Sequence, residues 1–590
     1  MYTICTPAFF VRNNSVSVLC GSYKKRKSMK TKITLLLLCL SSISYTQNPQ
    51  WLNQEHIKDR DTFRKSVFVN SSSGGVVVNF LQQQTEQQGG GSNIPDRRFL
   101  FAYGENGNAL WSFETNQINI FDLLVKEEGA FWLVGFGTGE VHIGNQTITS
   151  PQPYPQNRSL YFIEINSSGV VVDYFVYTLS FDIFPLLADV VFDQNGDFVI
   201  LATIHPDQIL PIPFEFGNFN TTLDPDERLH IVAKMDTEGN PGEIFTYTSP
   251  RFIPTPTFPQ HLAVNSDTGE IIFTGRMGST LTIGNTTHTQ PSVYQQLYLG
   301  LLDSDYTLIT TTAEEISTYG TLVYEVSYNP VTSSFYLLGT WGDTLYYGQS
   351  QPLSGHTGTV ENMYLAQITP ETTSLNNLIS FIPQNHEFSS FISFLDMQTA
   401  ANGSIYLCGT VTDSEIAING ELHQIQSGSP LLNYESLVVK ISPTFEIASL
   451  LNSQDEGNSI YRSIVIDDEN IYCSGDFLND FHFGNLTAMS VGGSVDGIIV
   501  KLTDPELSTN NPVATPERVS VFPNPTFGII HFQTQVAIDA VLLYDISGKR
   551  TDIPFITSEK ILNISTLPSG VYFAHIIAEG HTQIQKIIKK

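Results

Sequence analysis

Leu187-Ala-Asp-Val-Val-Phe-Asp-Gln-Asn-Gly-Asp-Phe-Val-Ile-Leu-Ala202 decides the fold. Two short runs of β-branched and apolar residues flank Gln194-Asn195-Gly196. An Asn-Gly step between such runs is hairpin chemistry, because tight hairpin turns need positive φ and these residues tolerate it. After a long connection, Leu229–Met235 and Gly242–Tyr247 flank a second turn, so the stretch parses as a four-stranded unit. Apolar residues at helical spacing run for no more than a turn or two in the body of the chain.

The unit recurs. Its mark is an apolar strand ending in glycine: Phe131-Trp-Leu-Val-Gly135, Ile271-Ile-Phe-Thr-Gly275, Tyr336-Leu-Leu-Gly339, Ile405-Tyr-Leu-Cys-Gly409 and Ile471-Tyr-Cys-Ser-Gly475. Phe198-Val-Ile-Leu-Ala202 is the variant without it, and successive marks lie 64–73 residues apart. A Gly-Asn step follows most of them, at Gly144-Asn145, Gly217-Asn218, Gly284-Asn285 and Gly484-Asn485. Gly348-Gln349 and Asn419-Gly420 are degenerate copies. A weaker unit runs from Arg64 to Phe113, through Val76–Phe80 and Phe99–Tyr103. Four antiparallel strands, repeated radially, protect their own sheet edges. The pattern therefore predicts an all-β chain whose residues 47–503 form a seven-bladed β-propeller. The last unit lacks an outer strand, and Asn48-Pro-Gln-Trp51-Leu echoes Asn108-Ala-Leu-Trp111-Ser, so the N-terminal segment is expected to complete it. This body resembles the bacterial propeller repeats known as SBBP-like.

Residues 504–518, with Asp504-Pro, Asn511-Pro and Thr515-Pro, read as a polar linker. Beyond it come Val-Ser-Val-Phe-Pro-Asn-Pro-Thr (519–526), Leu-Tyr-Asp-Ile-Ser-Gly-Lys (543–549), Leu-Pro-Ser-Gly-Val-Tyr-Phe (567–573) and a terminal Lys-Ile-Ile-Lys-Lys. Residues 519–590 thereby resemble the type A C-terminal sorting domain of the type IX (Por) secretion system of Bacteroidetes. Pro523, Asn524, Pro525, Gly548, Gly570 and Tyr572 carry the match, and the alternating runs of the segment suit a small Ig-like β-sandwich. The resemblance implies a secreted or outer-membrane-surface protein, with the type IX translocon and a sortase as partners.

The other end of the chain agrees. Met29-Lys-Thr-Lys-Ile-Thr-Leu-Leu-Leu-Leu-Cys-Leu has a basic start and a short apolar run, with Ser44 and Thr46 as small residues ahead of Gln47. This is a Sec signal peptide over 29–46, too short to stay in a bilayer. Residues 1–28 make no sense ahead of it, so translation is expected to begin at Met29. No transmembrane segment is expected in the mature chain.

The formal charge is −29, and residues 1–46 hold seven Lys/Arg and no Asp/Glu. The sorting segment holds six basic and five acidic residues, which leaves −37 on residues 47–518. Such a body repels phosphate backbones and excludes nucleic acid as a partner. Cys408 and Cys473 are the cysteines beyond the signal region. Their positions in neighbouring units point them to opposite sheet faces, which predicts free thiols rather than a disulfide.

Catalytic signatures are missing: no His-Glu-x-x-His, Gly-x-Ser-x-Gly, phosphate-cradling loop or spaced Cys/His cluster. No cofactor is expected. Asp193-x-Asn195-Gly-Asp197 opens like a calcium loop but lacks the distal glutamate, and a hairpin turn explains it better. The second-to-third connections (137–158, 204–228, 277–295, 341–361, 411–434 and 477–495) are long and open on one face. Variable loops on a rigid scaffold carry recognition. Trp341, Tyr346, Tyr347, His356, Phe477, Asp480 and His482 are therefore the candidate ligand-facing residues; their alternative role is to pack the loops on the blades. The reading is a non-enzymatic binding, adhesion or scaffold protein for a protein or glycan ligand. The alternative is a polysaccharide hydrolase or lyase with carboxylates in the propeller channel.

Overall fold

The computed structural model describes residues 48–504 and 520–590 except for short connecting stretches, of which 84–96 is the longest. The described residues form strands and turns, with no α-helix among them. No helix among the described residues is long and apolar enough to cross a membrane.

The first element, Asn48–Glu55, belongs to the last sheet. It runs antiparallel to Val495–Thr503, with Trp51 opposite Lys501, and completes the order Asn458–Asp467, Asn470–Leu478, Val495–Thr503, Asn48–Glu55. Its side chains also reach the first unit: Trp51 Nε1 donates to the Glu105 carbonyl (2.7 Å) and Asn53 Nδ2 to that of Gly107 (2.8 Å). The two ends of the body are thus hydrogen-bonded into one sheet.

Between them the same four-stranded antiparallel unit recurs, giving seven among the described residues. Ala109–Val125 is long enough to end the first unit and begin the second. The first strands of the others are Asp61–Val69, Ile183–Phe192, Phe258–Val264, Thr321–Asn329, Ile392–Thr399 and Asn458–Asp467. These first strands touch their neighbours in a closed cycle, the last against the first. That is a β-propeller, with first strands innermost.

Burial follows the layers. Second strands such as Phe198–Pro206 and Ser334–Trp341 are buried along nearly their whole length, because both sheet faces meet a neighbouring unit. Outer strands such as Val171–Thr178 leave Val172 and Tyr174 half exposed. The cores lie between units: Trp132, Val134 and Phe162 pack against Phe198, Ile200 and Ala233 of the next. Cys408 and Cys473 are buried free thiols in one such inter-unit core.

The long connections differ from the expectation of plain loops. Several hold a short hairpin, such as Ile212–Phe216 with Phe219–Leu223, or Glu415–Ile418 with Glu421–Gln424. The Gly-Asn steps are their turns, with positive φ at Gly144, Gly217, Gly284 and Gly484. Three such hairpins extend the outer strand of the preceding unit, pairing Ile143 with Thr115, Ile283 with Tyr247 and Ile418 with Phe381. The turns at Gly144-Asn145, Gly284-Asn285 and Asn419-Gly420 therefore mark stitches between neighbours, whereas the hairpins turning at Gly217-Asn218 and Gly484-Asn485 form two-stranded sheets of their own.

The C-terminal residues form two four-stranded antiparallel sheets, one containing Ile529–Gln533 and Ile561–Asn563, the other Ile538–Asp545, Gly570–Ala578 and His581–Lys589. Ile530, Phe532, Leu543, Leu562, Tyr572, Ala574 and Ile587 fill the space between them. This is a small β-sandwich.

Candidate functional site: an axial ring of ionisable residues

Every first strand carries a β-bulge at the same place. Pairing with the second strand slips between Phe63 and Lys65, Ile120 and Asp122, Leu187 and Asp189, Pro259 and His261, Val323 and Glu325, Phe394 and Asp396, and Tyr461 and Ser463. A bulge adds one residue and re-aims the side chains around it. Six of the seven residues after the slip are ionisable: Lys65, Asp122, Asp189, His261, Glu325 and Asp396, with Ser463 the seventh.

In five of the seven units a glycine of the second strand lies opposite that bulge. Gly135, Gly275, Gly339, Gly409 and Gly475 pair with the residue just before the slip. A Cβ would lie 2.7 Å from the Asn119 carbonyl oxygen at Gly135, 2.2 Å from that of Phe258 at Gly275, and 2.8 Å from that of Leu322 at Gly339. At Gly409 and Gly475 the distances to the Ser393 and Ile460 oxygens fall to 1.9 and 1.8 Å. The close approach of backbone to backbone leaves no room for a side chain.

The ring residues interact around the axis. Lys65 Nζ is 3.4 Å from Asp122 Oδ1. His261 Nδ1 is 3.6 Å from Asp189 Oδ2 and 4.0 Å from Glu325 Oε2. The Asp189, His261 and Glu325 side chains, on three successive innermost strands, remain 13 %, 23 % and 22 % open. The acids also hold backbone. Val190 N–H donates to Asp189 Oδ1 (2.8 Å), and Leu262 N–H of the next unit donates to Oδ2 (2.9 Å). Asp396 repeats this with Met397 N–H (2.8 Å) and, across to the last unit, Ile464 N–H and Ser463 Oγ (both 2.9 Å). Leu123 N–H donates to Asp122 and Val326 N–H to Glu325.

Protonation follows from crowding like charges in a partly desolvated space. Burial pushes Asp122 up to about 6 although Lys65 opposes it. Burial also raises Glu325 well above the carboxylate range, with the Asp189 charge adding and His261 opposing. For His261 burial works against the cation, but the Asp189 hydrogen bond and the Glu325 and Asp189 charges outweigh it, and its pKa rises. Lys65 is raised chiefly by Asp122.

The candidate ligand-facing residues do not converge. Trp341 and Phe477 are each 1 % exposed and pack in inter-unit cores. Tyr346 is exposed. Asp480 and His482 form a 3.3 Å pair on the hairpin Asp480–Phe483, beside a surface cavity lined by Asn479, Thr487 and Met489. Tyr347 and His356 lie outside the described residues, as do Pro523, Asn524, Pro525 and Gly548. Gly570 opens a strand, and Tyr572 is buried with its hydroxyl donating to the Pro568 carbonyl (2.9 Å). In the calcium-like turn, Asp193 Oδ1 accepts from Asn195 and Asp197 N–H, and the Lys234 ammonium sits 2.9 and 3.0 Å from the Asp193 and Asp197 carboxylates. A lysine supplies the cation of that turn.

Residues 520–590 match the family described as the secretion system C-terminal sorting domain. No curated protein matches the chain. Among solved structures, the chain is similar to the Dos1 propeller, at 8% identity and TM-score 0.34 over 79% of this chain and 97% of that one. It is similar to a protein of unknown function from Dyadobacter fermentans, at 8% and 0.33 over 78% and 100%. It is also similar to the exotype rhamnogalacturonan lyase YesX, at 11% and 0.31 over 69% and 75%. The assignment of the body as a propeller rests on its own strand order and closed cycle.

Proposed function

We propose, for a chain that ends in a type IX sorting domain and is exported to the cell surface or beyond, that the propeller is a non-enzymatic binding or scaffold module. The face carrying the second-to-third connections would meet a protein or glycan. One observation carries this reading. Leu210, Tyr346, Leu422, Met489 and Val491 are large apolar side chains 45–76 % exposed, and all lie on those connections, in four different units. Exposed apolar groups on rigid hairpin tips are what recognition of a partner requires. The sorting domain would engage the translocon and sortase.

The axial acids fit this reading as inter-unit staples, since the oxygens of Asp189 and Asp396 accept backbone N–H groups from two units. A hydrolase or lyase in the lumen is the second reading. It is favoured by the Asp189 and Glu325 carboxylates, whose oxygens lie within 4.8 Å of each other, near the separation of about 5–5.5 Å used by retaining glycosidases.

A glycan array and a polysaccharide depolymerase panel on the secreted protein distinguish the two. Binding that Leu422→Asp combined with Met489→Asp abolishes, with an unchanged urea midpoint, supports the module. Release of oligosaccharide that Glu325→Gln stops would replace it with the enzyme.

A further inference from the structure

We propose that Asp189, His261 and Glu325 bind a divalent transition-metal ion of the zinc or manganese type in the axial lumen. Their donor atoms, two carboxylate oxygens and one imidazole nitrogen, all lie within 4.8 Å of one another. Ligands around such an ion sit about 2.0–2.2 Å from it, hence roughly 3.3 Å apart in a tetrahedron. The observed 3.6 and 4.0 Å separations close to that spacing by small side-chain rotations.

The three residues are equivalent positions on three successive first strands, each placed by its own bulge. An ion there would join three units around the axis. The acids are oriented from behind: Val190 and Leu262 N–H hold Asp189, and Val326 N–H holds Glu325. A carboxylate has about four acceptor positions, so these bonds leave lone pairs for a further ligand. Fixed orientation by outer hydrogen bonds is how metal ligands are positioned. The remaining ionisable ring members are Lys65, Asp122 and Asp396. Lys65 is engaged by Asp122 at 3.4 Å, and Asp396 by Ser463 and Ile464. Two carboxylates thus share one imidazole, and all three side chains stay partly open to solvent, as entry of an ion requires. The mixed nitrogen and oxygen donors select a transition ion over Ca²⁺, which takes six or more oxygens. This inference is independent of which partner the hairpin face recognises.

The test titrates the full secreted protein, freed of metal by chelator dialysis, with Zn²⁺, Mn²⁺ and Ca²⁺ by calorimetry. The expected result is one Zn²⁺ or Mn²⁺ per chain, with affinity lowered at least tenfold in His261→Gln and in Glu325→Gln and unchanged in Glu421→Gln, on an exposed hairpin. Electron paramagnetic resonance of the Mn²⁺-loaded wild type should show coupling to one imidazole nitrogen, a readout that stands if a variant fails to fold. No stoichiometric ion, binding that both variants retain, or a bound ion without nitrogen coupling would each overturn the proposal.

Discussion

His230 shows how one residue can set the acid sensitivity of the body. It is fully buried, its Nδ1 2.8 Å from Thr203 Oγ1 and its Nε2 2.8 Å from Ser249 Oγ. The trio has the residue types of a nucleophilic site, yet nothing reaches it; its work is to join three strands of one unit. Burial, with Arg228 adding, pushes its pKa down to about 3. An unfolded histidine takes up its proton near pH 6.5, while the folded one resists until about 3. The unfolded state therefore binds more protons across that window, and stability falls as the pH drops through it. Between pH 7 and pH 4 the loss from this group is on the order of 3 kcal/mol. Replacing it by an uncharged donor and acceptor, His230→Gln, should lower stability at pH 7 but flatten the decline toward pH 4. Urea denaturation at the two pH values reads both; an equally steep decline in the variant would assign the acid sensitivity elsewhere.

At the scale of the strand, bulge and glycine form one device. The slip in the first strand turns a polar residue toward the axis, and it pushes a carbonyl toward the second strand, where only a residue without bulk fits. Gly409→Ala and Gly475→Ala would place Cβ 1.9 and 1.8 Å from a backbone oxygen, and should cost about 1–3 kcal/mol or more through forced backbone shifts. The third unit already has Ala202 opposite Leu187 at the corresponding place. Ala202→Gly should therefore stay within roughly 1 kcal/mol, the cost of added chain freedom in a strand. Comparing urea midpoints of the three variants checks the contrast. The glycine mark was visible in the sequence, but its reason was not, since the carbonyl it avoids belongs to a residue 15 to 17 positions earlier, on another strand. The ring itself escaped notice for the same cause. Lys, Asp, Asp, His, Glu, Asp and Ser have no one residue in common to align, and only the bulge makes them equivalent.

For the whole molecule, the ends of the chain matter most. Asn48–Glu55 supplies the last strand of the ring, so its removal would expose the edge of Val495–Thr503 along its length and invite pairing between molecules. A chain lacking residues 48–55 is expected to elute as aggregates in size-exclusion chromatography, whereas the full mature chain elutes as a discrete species. The sorting domain has its own two sheets and core. Deleting residues 520–590 should leave the propeller folded but retained inside the outer membrane, as fractionation and protease access to whole cells would show. Export of the truncated chain at wild-type levels would contradict the role of the tail.

Hairpin turns, the repeat and the sorting motif are local facts, written in neighbouring residues whose conformational preferences act within a few positions. For that reason the sequence by itself determined the strand pattern, the propeller class and the destination. Where the candidate site lies was a matter for the tertiary structure. Trp341 and Phe477 read as loop aromatics but are core, because each lies near the end of a second strand, Ser334–Trp341 and Asn470–Leu478, whose two faces meet neighbouring units. Asp189, His261 and Glu325 lie 72 and 64 positions apart, and they meet only because seven bulged strands close around one axis. Convergence of that kind depends on ring closure, a property of the assembled sheets that no single segment encodes.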